Sequence, residues 1–323
     1  MTKKEEAQEI LTPSNQLNLY GFTEYFKYFV DLYNKKSLPN VILLNGPKGL
    51  GKSTFIYHFI NYILSLKEEG PYNKTDLIIN STNKSYNLIN NSIHPNFFLL
   101  DNDIKNSEIK IEKVRNLIKF HSKSAYLDRI KIVLIDSAEN LNINSSNALL
   151  KILEESRDNT FFFIIQNSSS KILETIRSRS IEFKIFFTLS SKKEVLKKLL
   201  NQYDLNIDIS NIDEILHFET PGNLIKYFKI FENTEFSILN DNLPCIIYLL
   251  DKYKNYKDIN YLTYASFFIE NYYRNLYKKN INNINVYFSN KNKILNHIQN
   301  MKKYNLDSKN LLFLINDILE NEK

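Results

Sequence analysis

The chain has 323 residues, 43% of them apolar and 24% charged, which suits a globular protein of two or three domains. Its single cysteine, Cys245, excludes an internal disulfide framework and a cysteine-based zinc quartet, and reads as a small buried apolar residue. The formal net charge of +6 comes without a dense Lys/Arg block, so it permits contact with nucleic acid without arguing for it.

The N-terminus, MTKKEEAQEI, alternates both charge signs around no apolar centre, which argues against a secretory signal and for the cytoplasm. No apolar run, FFFII at 161–165 included, approaches the roughly 20 residues of a membrane helix. Between residues 41 and 185, five β-rich runs alternate with helical patterns: VILLN (41–45), NFFLL (96–100), KIVLID (131–136), FFFIIQ (161–166) and IEFKI (181–185). Most are apolar on both faces, as strands of a parallel sheet covered by helices must be. Between them, Ile109, Val114, Leu117 and Ile118 fall on one helical face. So do Ala148, Leu149, Ile152 and Leu153, with Asn144 or Ser145 as the N-cap of that helix. The Asn/Ser-rich stretch TNKSYNLINNS (82–92) reads as a surface loop.

The first strand runs directly into Gly46-Pro47-Lys48-Gly49-Leu50-Gly51-Lys52-Ser53-Thr54, which matches G-x-x-x-x-G-K-[ST] and opens a helix. The glycines let backbone N–H groups converge on phosphates, and the helix N-terminus adds positive potential. Lys52 reaches the outer phosphates and Ser53 holds Mg²⁺. The spacing predicts an ATP or ADP site. KIVLID ends in Asp136, where a Walker B aspartate meets the Mg²⁺ shell. Active ATPases of this layout follow that aspartate with a glutamate, but the next residue here is Ser137, whose hydroxyl is too weak a base at neutral pH. Glu139, the next acid, stands three residues past Asp136.

The segment from His94 to Phe187 resembles the AAA+ clamp-loader subunits of the bacterial DNA polymerase III holoenzyme, in particular those of the delta-prime type. The residues that carry the likeness are His94-Pro95, IEKVRNLIKF, KIVLIDSAENLNINSSNALLKILEE and TFFFIIQNSSSKILETIRSRS, with ETPGNL (219–224) extending it. The resemblance implies a P-loop core with a five-stranded parallel sheet (residues 1–187), a helical lid (188–235) and an all-α C-terminal collar (236–323). It implies a place in a hetero-pentameric ring with gamma/tau and delta subunits, acting on a sliding clamp and primer-template DNA, with no membrane partner. It also implies that Arg179, in Ser178-Arg179-Ser180, serves the ATP site of a neighbouring motor subunit, with Arg177 as the nearby competitor.

Three departures bear on the chemistry. The family's zinc cysteines between about 70 and 94 are absent, so no zinc is expected, and His94 reads as a loop-to-strand residue rather than a ligand. Asn223 stands where the lid arginine that senses nucleotide is expected. Ser stands at 180 in place of the motif's Cys, which the guanidinium chemistry does not need. Two other readings stay open: a catalytically active gamma/tau-type ATPase, and an unrelated P-loop kinase or ATPase. Ser137 and Asn223 argue against the first, and NALLK-x-LEE and the SRS turn against the second. Beyond residue 187 the pattern turns helical (SSKKEVLKKLLNQY, IDEILHF, NLIKYFKIFE), then Tyr/Phe-rich, ending in SKNLLFLINDILENEK. Aromatics at that spacing read as core rather than a base-stacking platform.

Overall fold

The computed structural model describes residues 12–102, 108–123, 125, 130–155, 159–168, 172–279, 283–304, 313 and 315. The N-terminal stretch read for a signal, and all of SKNLLFLINDILENEK but Phe313 and Ile315, lie outside them. Contacts divide the chain into two compact units, Met1–Asn206 with Leu216–Asn223, and Ile207–Ile215 with Leu224–Lys323.

The first unit is built on one parallel sheet of β1 (Val41–Gly46), β2 (Phe97–Leu100), β3 (Lys131–Ile135), β4 (Thr160–Asn167) and β5 (Ile181–Lys184). Their order is β2-β3-β4-β1-β5, so the five strands expected from the sequence are present. The register sets Ile42 beside Phe163 and Val133 beside Phe162. Because neighbouring side chains alternate faces, β1, β3 and β4 must be apolar on both. One face packs on α1 (Thr23–Asn34), α2 (Lys52–Ser65) and α3 (Lys84–Asn90) through Leu44, Leu134, Phe163, Phe29, Phe59 and Ile89. The other packs on α4 (Ile111–Ser122) and α5 (Ile143–Glu154) through Leu43, Val133, Phe162, Val114 and Leu149. The rings of Phe22 and Phe29 each lie 5.0 Å from that of Phe55 on α2. Fully burying a side chain of this size contributes about 1.5–3 kcal/mol.

Three local expectations are corrected. TNKSYNLINNS is not a surface loop: its centre is α3, where Asn83 caps by accepting the Tyr86 N–H and buried Tyr86 and Ile89 sit three apart on the core side. The helical signal was hidden by polar composition, although the apolar spacing was present. The N-cap of α5 is Asn142, which accepts the Ser145 N–H at 2.9 Å, and neither Asn144 nor Ser145. Ile109 precedes α4 and bridges to Leu141, and Ile118 is exposed, so the buried stripe of α4 is Val114 and Leu117.

His94 is buried in the approach to β2. Its Nδ1 accepts the Asn96 N–H and its Nε2 lies 3.3 Å from Ser85 Oγ, as suits a loop residue. Three further helices follow β5 in order: α7 (Leu189–Gln202), α8 (Asp213–Phe218) and α9 (Pro221–Phe231), preceded between β4 and β5 by the short α6 (Glu174–Arg177). Pro221 opens α9, where its missing N–H costs no hydrogen bond.

The second unit is helical, with α10 (Asn242–Tyr256), α11 (Ile259–Lys279) and α12 (Ile284–Tyr304). Part of its aromatic content is core, with Tyr227, Phe231, Phe268 and Tyr273 buried, while Phe236, Tyr256, Phe288 and Phe313 are exposed. Leu262, Ala265, Phe268, Ile269 and Tyr273 form the buried stripe of α11, and Tyr227 stacks on Phe267 at 5.2 Å. Cys245 is fully buried, and loss of hydration pushes its thiol up to about 12, so it is inert. Among the described residues no helix is long and apolar enough to cross a membrane.

Candidate nucleotide site and the arginine turn

β4 separates β1 from β3, and all three strands end at the same edge of the sheet. The loop after β1, Asp136 after β3 and Asn167 at the end of β4 therefore converge, in the crevice where parallel sheets place ligands. Gly46 closes β1, Pro47 and Lys48 are exposed, and Leu50 is buried in the core, so Leu50 anchors the loop. Gly49 and Gly51 have φ of +81° and +95°, the left-handed region that only glycine enters without strain.

The groups that would meet phosphate and metal are paired with one another. Lys52 is buried, and its Nζ donates to Gly46 O at 2.7 Å, Pro47 O at 2.8 Å and Asn167 Oδ1 at 3.2 Å. Ser53 Oγ donates to Asp136 Oδ2 at 2.7 Å. Thr54 follows on α2 without a polar contact of note. Burial lowers Lys52 to about 8, although the Asp136 and Glu139 carboxylates pull the other way. Lost hydration raises the Asp136 carboxyl, against the Ser53 hydrogen bond and the Lys52 charge.

Glu139 is brought in by the turn Ala138–Asn140. Its carboxylate accepts the Asn167 N–H at 3.3 Å and also the Asn167 side-chain amide. Sequence reasoning did not single out Asn167. The available signal was the polar pair Gln166-Asn167 ending an otherwise apolar strand, but only the strand order puts that pair beside Lys52.

The outer side of the loop is also engaged within the first unit. Thr220 Oγ1 donates to Lys48 O at 2.9 Å, Gly222 N–H to Gly49 O at 3.1 Å and Asn223 Nδ2 to Glu219 Oε1 at 2.8 Å. The approach is close enough that a Cβ on Gly49 would lie 2.4 Å from Thr220 Oγ1. Asn223 thus braces the segment that covers the loop.

The donor set suits a Mg²⁺-nucleotide: one hydroxyl and one carboxylate for a hard cation that keeps waters and takes phosphate oxygens, beside a lysine for the phosphates. Among the described residues no cluster of three His, Cys, Asp or Glu could hold a metal alone. Phosphate binding would hold Lys52 protonated, so nucleotide affinity is expected to fall roughly tenfold per pH unit above about 8. Calorimetric titration of Mg-ADP at pH 7, 8.5 and 9.5 measures this, and an affinity indifferent to pH would remove Lys52 from the phosphate contacts.

Arg177 and Arg179 part company in the turn after α6. The Arg177 guanidinium meets Gln166 Oε1 at 3.4 Å and Glu182 Oε2 at 3.6 Å, and Glu182 also accepts from Asn45 at 2.7 Å. It lies against β4 and β5. Arg179, 36% exposed, turns instead to α5: Nε donates to Glu154 Oε1 at 2.8 Å, Nη2 to the same oxygen, and Nη1 to Thr175 O at 3.0 Å.

Residues 22–187, half of the chain, match the family described as DNA polymerase III, delta subunit. The chain is 32% identical over 140 residues to the DNA polymerase III subunit delta' of Pseudomonas aeruginosa, covering 43% of this chain and 41% of that protein. It is 25% identical over 237 residues to the subunit of the same name from Buchnera aphidicola (subspecies Schizaphis graminum), covering 70% and 69%. The chain spans about half the length of most of the curated relatives it matches. A Thermotoga maritima DNA polymerase III gamma subunit-related protein superposes with a TM-score of 0.45 at 17% identity, covering 91% of this chain and 99% of that one. The chain belongs to the DNA polymerase III delta-subunit family.

Proposed function

We propose that this chain is a stator subunit of a DNA polymerase III clamp loader. In this reading residues 1–187 form the nucleotide-binding core, 188–235 the lid and 236–323 the collar that joins a ring with gamma/tau and delta subunits. Through that ring it takes part in placing the sliding clamp on primed DNA. Arg179 reaches the ATP held by a neighbouring motor subunit. There a guanidinium stabilises negative charge on the transferring phosphoryl group, a role that needs no base of its own.

One observation carries the reading: among the described residues, the carboxylates near Asp136 are already engaged, Asp101 with Lys113 at 3.4 Å. Ser137 follows it, and Glu139 is committed to Asn167. The chain's own site can hold a nucleotide through Lys52 and the loop amides, with Ser53 and Asp136 oxygens on Mg²⁺. A bound Mg²⁺-nucleotide would supply charge that orders the loop. The self-paired groups and the brace at Asn223 support a structural use of the pocket.

The test is steady-state phosphate release. The isolated chain is expected to show none above background, and the mixture with motor subunits to show turnover that Lys52→Ala leaves within about twofold. Turnover by the isolated chain, or a large loss on Lys52→Ala, would instead mark a gamma/tau-type ATPase.

A further inference from the structure

Resting on the reading of Arg179 as a group that works in trans, we infer that Glu154 is its latch: the carboxylate holds the guanidinium against its own chain until a neighbour's phosphoryl oxygens displace it. A guanidinium recognises phosphate by presenting two adjacent N–H groups together. In this structure the Nε/Nη2 edge is spent on Glu154 Oε1, and Nη1 already serves Thr175 O. No edge is left with both donors uncommitted, so Arg179 must leave Glu154 before it can grip a phosphoryl group side-on.

The latch is placed to hold a cation and to let it go. Glu154 ends α5, and Glu155 follows at the cap, so two carboxylates sit at the negative end of the helix. That end attracts a guanidinium and repels phosphate, which keeps the arginine folded back in the absence of a partner. Yet the Glu154 side chain is half exposed, and ion pairs in water hold weakly. A phosphoryl group carrying more than one negative charge outcompetes such a carboxylate. Arg177 offers a contrast of placement: it faces Gln166 and Glu182 on the sheet at 3.4 and 3.6 Å, longer contacts than those of Arg179.

The experiment uses the full complex assembled with Glu154→Gln, Arg179→Ala, or both. Glutamine keeps the shape and an acceptor oxygen but removes the charge. Phosphate release by the complex is expected to rise roughly two- to fivefold with Glu154→Gln, the range set by a weak exposed pair. Glu154→Asp, which keeps the charge on a shorter stem, should give a smaller rise. The double variant should fall to the level of Arg179→Ala, because a latch matters only while its arginine is present. If Arg179→Ala lowers turnover but Glu154→Gln leaves it unchanged or lowers it, the latch is overturned and the trans arginine stands. If Arg179→Ala changes nothing, both readings fall.

Discussion

On the proposed stator reading, replacing Arg179 by alanine is expected to lower ATP turnover at the neighbouring motor site by about 10³-fold and to leave the ring assembled. The size follows from what a trans-acting arginine contributes to phosphoryl transfer, roughly 10³–10⁵ in GTPases. The lower end is expected where the facing site supplies its own metal and lysine. Loss of folding cannot account for such a drop. The Arg179–Glu154 pair is solvent-exposed, and pairs of that kind contribute about 0–1 kcal/mol. Arg177 is placed differently: its guanidinium faces Gln166 at 3.4 Å and Glu182 at 3.6 Å, beside the sheet. The measurement is phosphate release by the assembled complex, with gel filtration to establish that the variant subunit is incorporated. Since other motor sites contribute to the total, the comparison is made per facing site, in a complex whose remaining sites carry a disabled P-loop lysine. Undiminished turnover in an intact ring would reject Arg179 as the finger.

What could be read in the sequence, and what could not, follows from which interactions are local. The central strands β1, β3 and β4 were legible because a strand covered on both faces must be apolar throughout, and FFFII or KIVLI allows little else. The phosphate loop was legible because its glycines, Lys52 and Ser53 are contiguous. Asn167 was not, since its meeting with Lys52 spans 115 positions and depends on β4 lying between β1 and β3. The contact of Thr220 with Lys48 O, 172 positions apart, was invisible for the same reason, although Asn223 had drawn notice for the arginine it lacks. Two errors were local. The cap of α5 was placed two or three residues late, because Asn142, Asn144 and Ser145 all have capping chemistry and only backbone geometry chooses among them. In α3, abundant Asn and Ser concealed Tyr86 and Ile89.

The first unit is expected to lose stability as the pH falls from about 6.5 toward 3, with His58 contributing to the loss. This imidazole lies on α2 with no exposed surface. Its Nε2 donates to Gln16 O at 3.0 Å, which leaves Nδ1 to accept from the Tyr72 hydroxyl at 2.9 Å. Both ring nitrogens are thus used in the neutral form, and a second ring proton would face a hydroxyl hydrogen. Burial disfavours the cation further and lowers the group to about 3, against the opposing pull of the Gln16 carbonyl. In the unfolded chain the imidazole takes up its proton near 6.5. Between the two values the unfolded state binds the extra proton, so stability is fully present above about 6.5 and falls with pH by up to roughly 1.4 kcal/mol per unit. Asp136, whose carboxyl is raised by burial, acts in the opposite sense at acid pH. Its effect cancels when the wild type is compared with His58→Gln, which retains hydrogen-bonding atoms but cannot titrate. The variant should be less stable at pH 7, because glutamine does not reproduce both bonds and a buried group left unpaired costs about 1–3 kcal/mol. Its stability should nevertheless decline less steeply, by about 2 kcal/mol over the interval from pH 7 to pH 5. Urea denaturation followed by circular dichroism at pH 7, 6 and 5 gives both slopes. Equal slopes would mean that the imidazole titrates alike in the folded and unfolded chain, and that the bonds to Gln16 and Tyr72 do not hold it neutral.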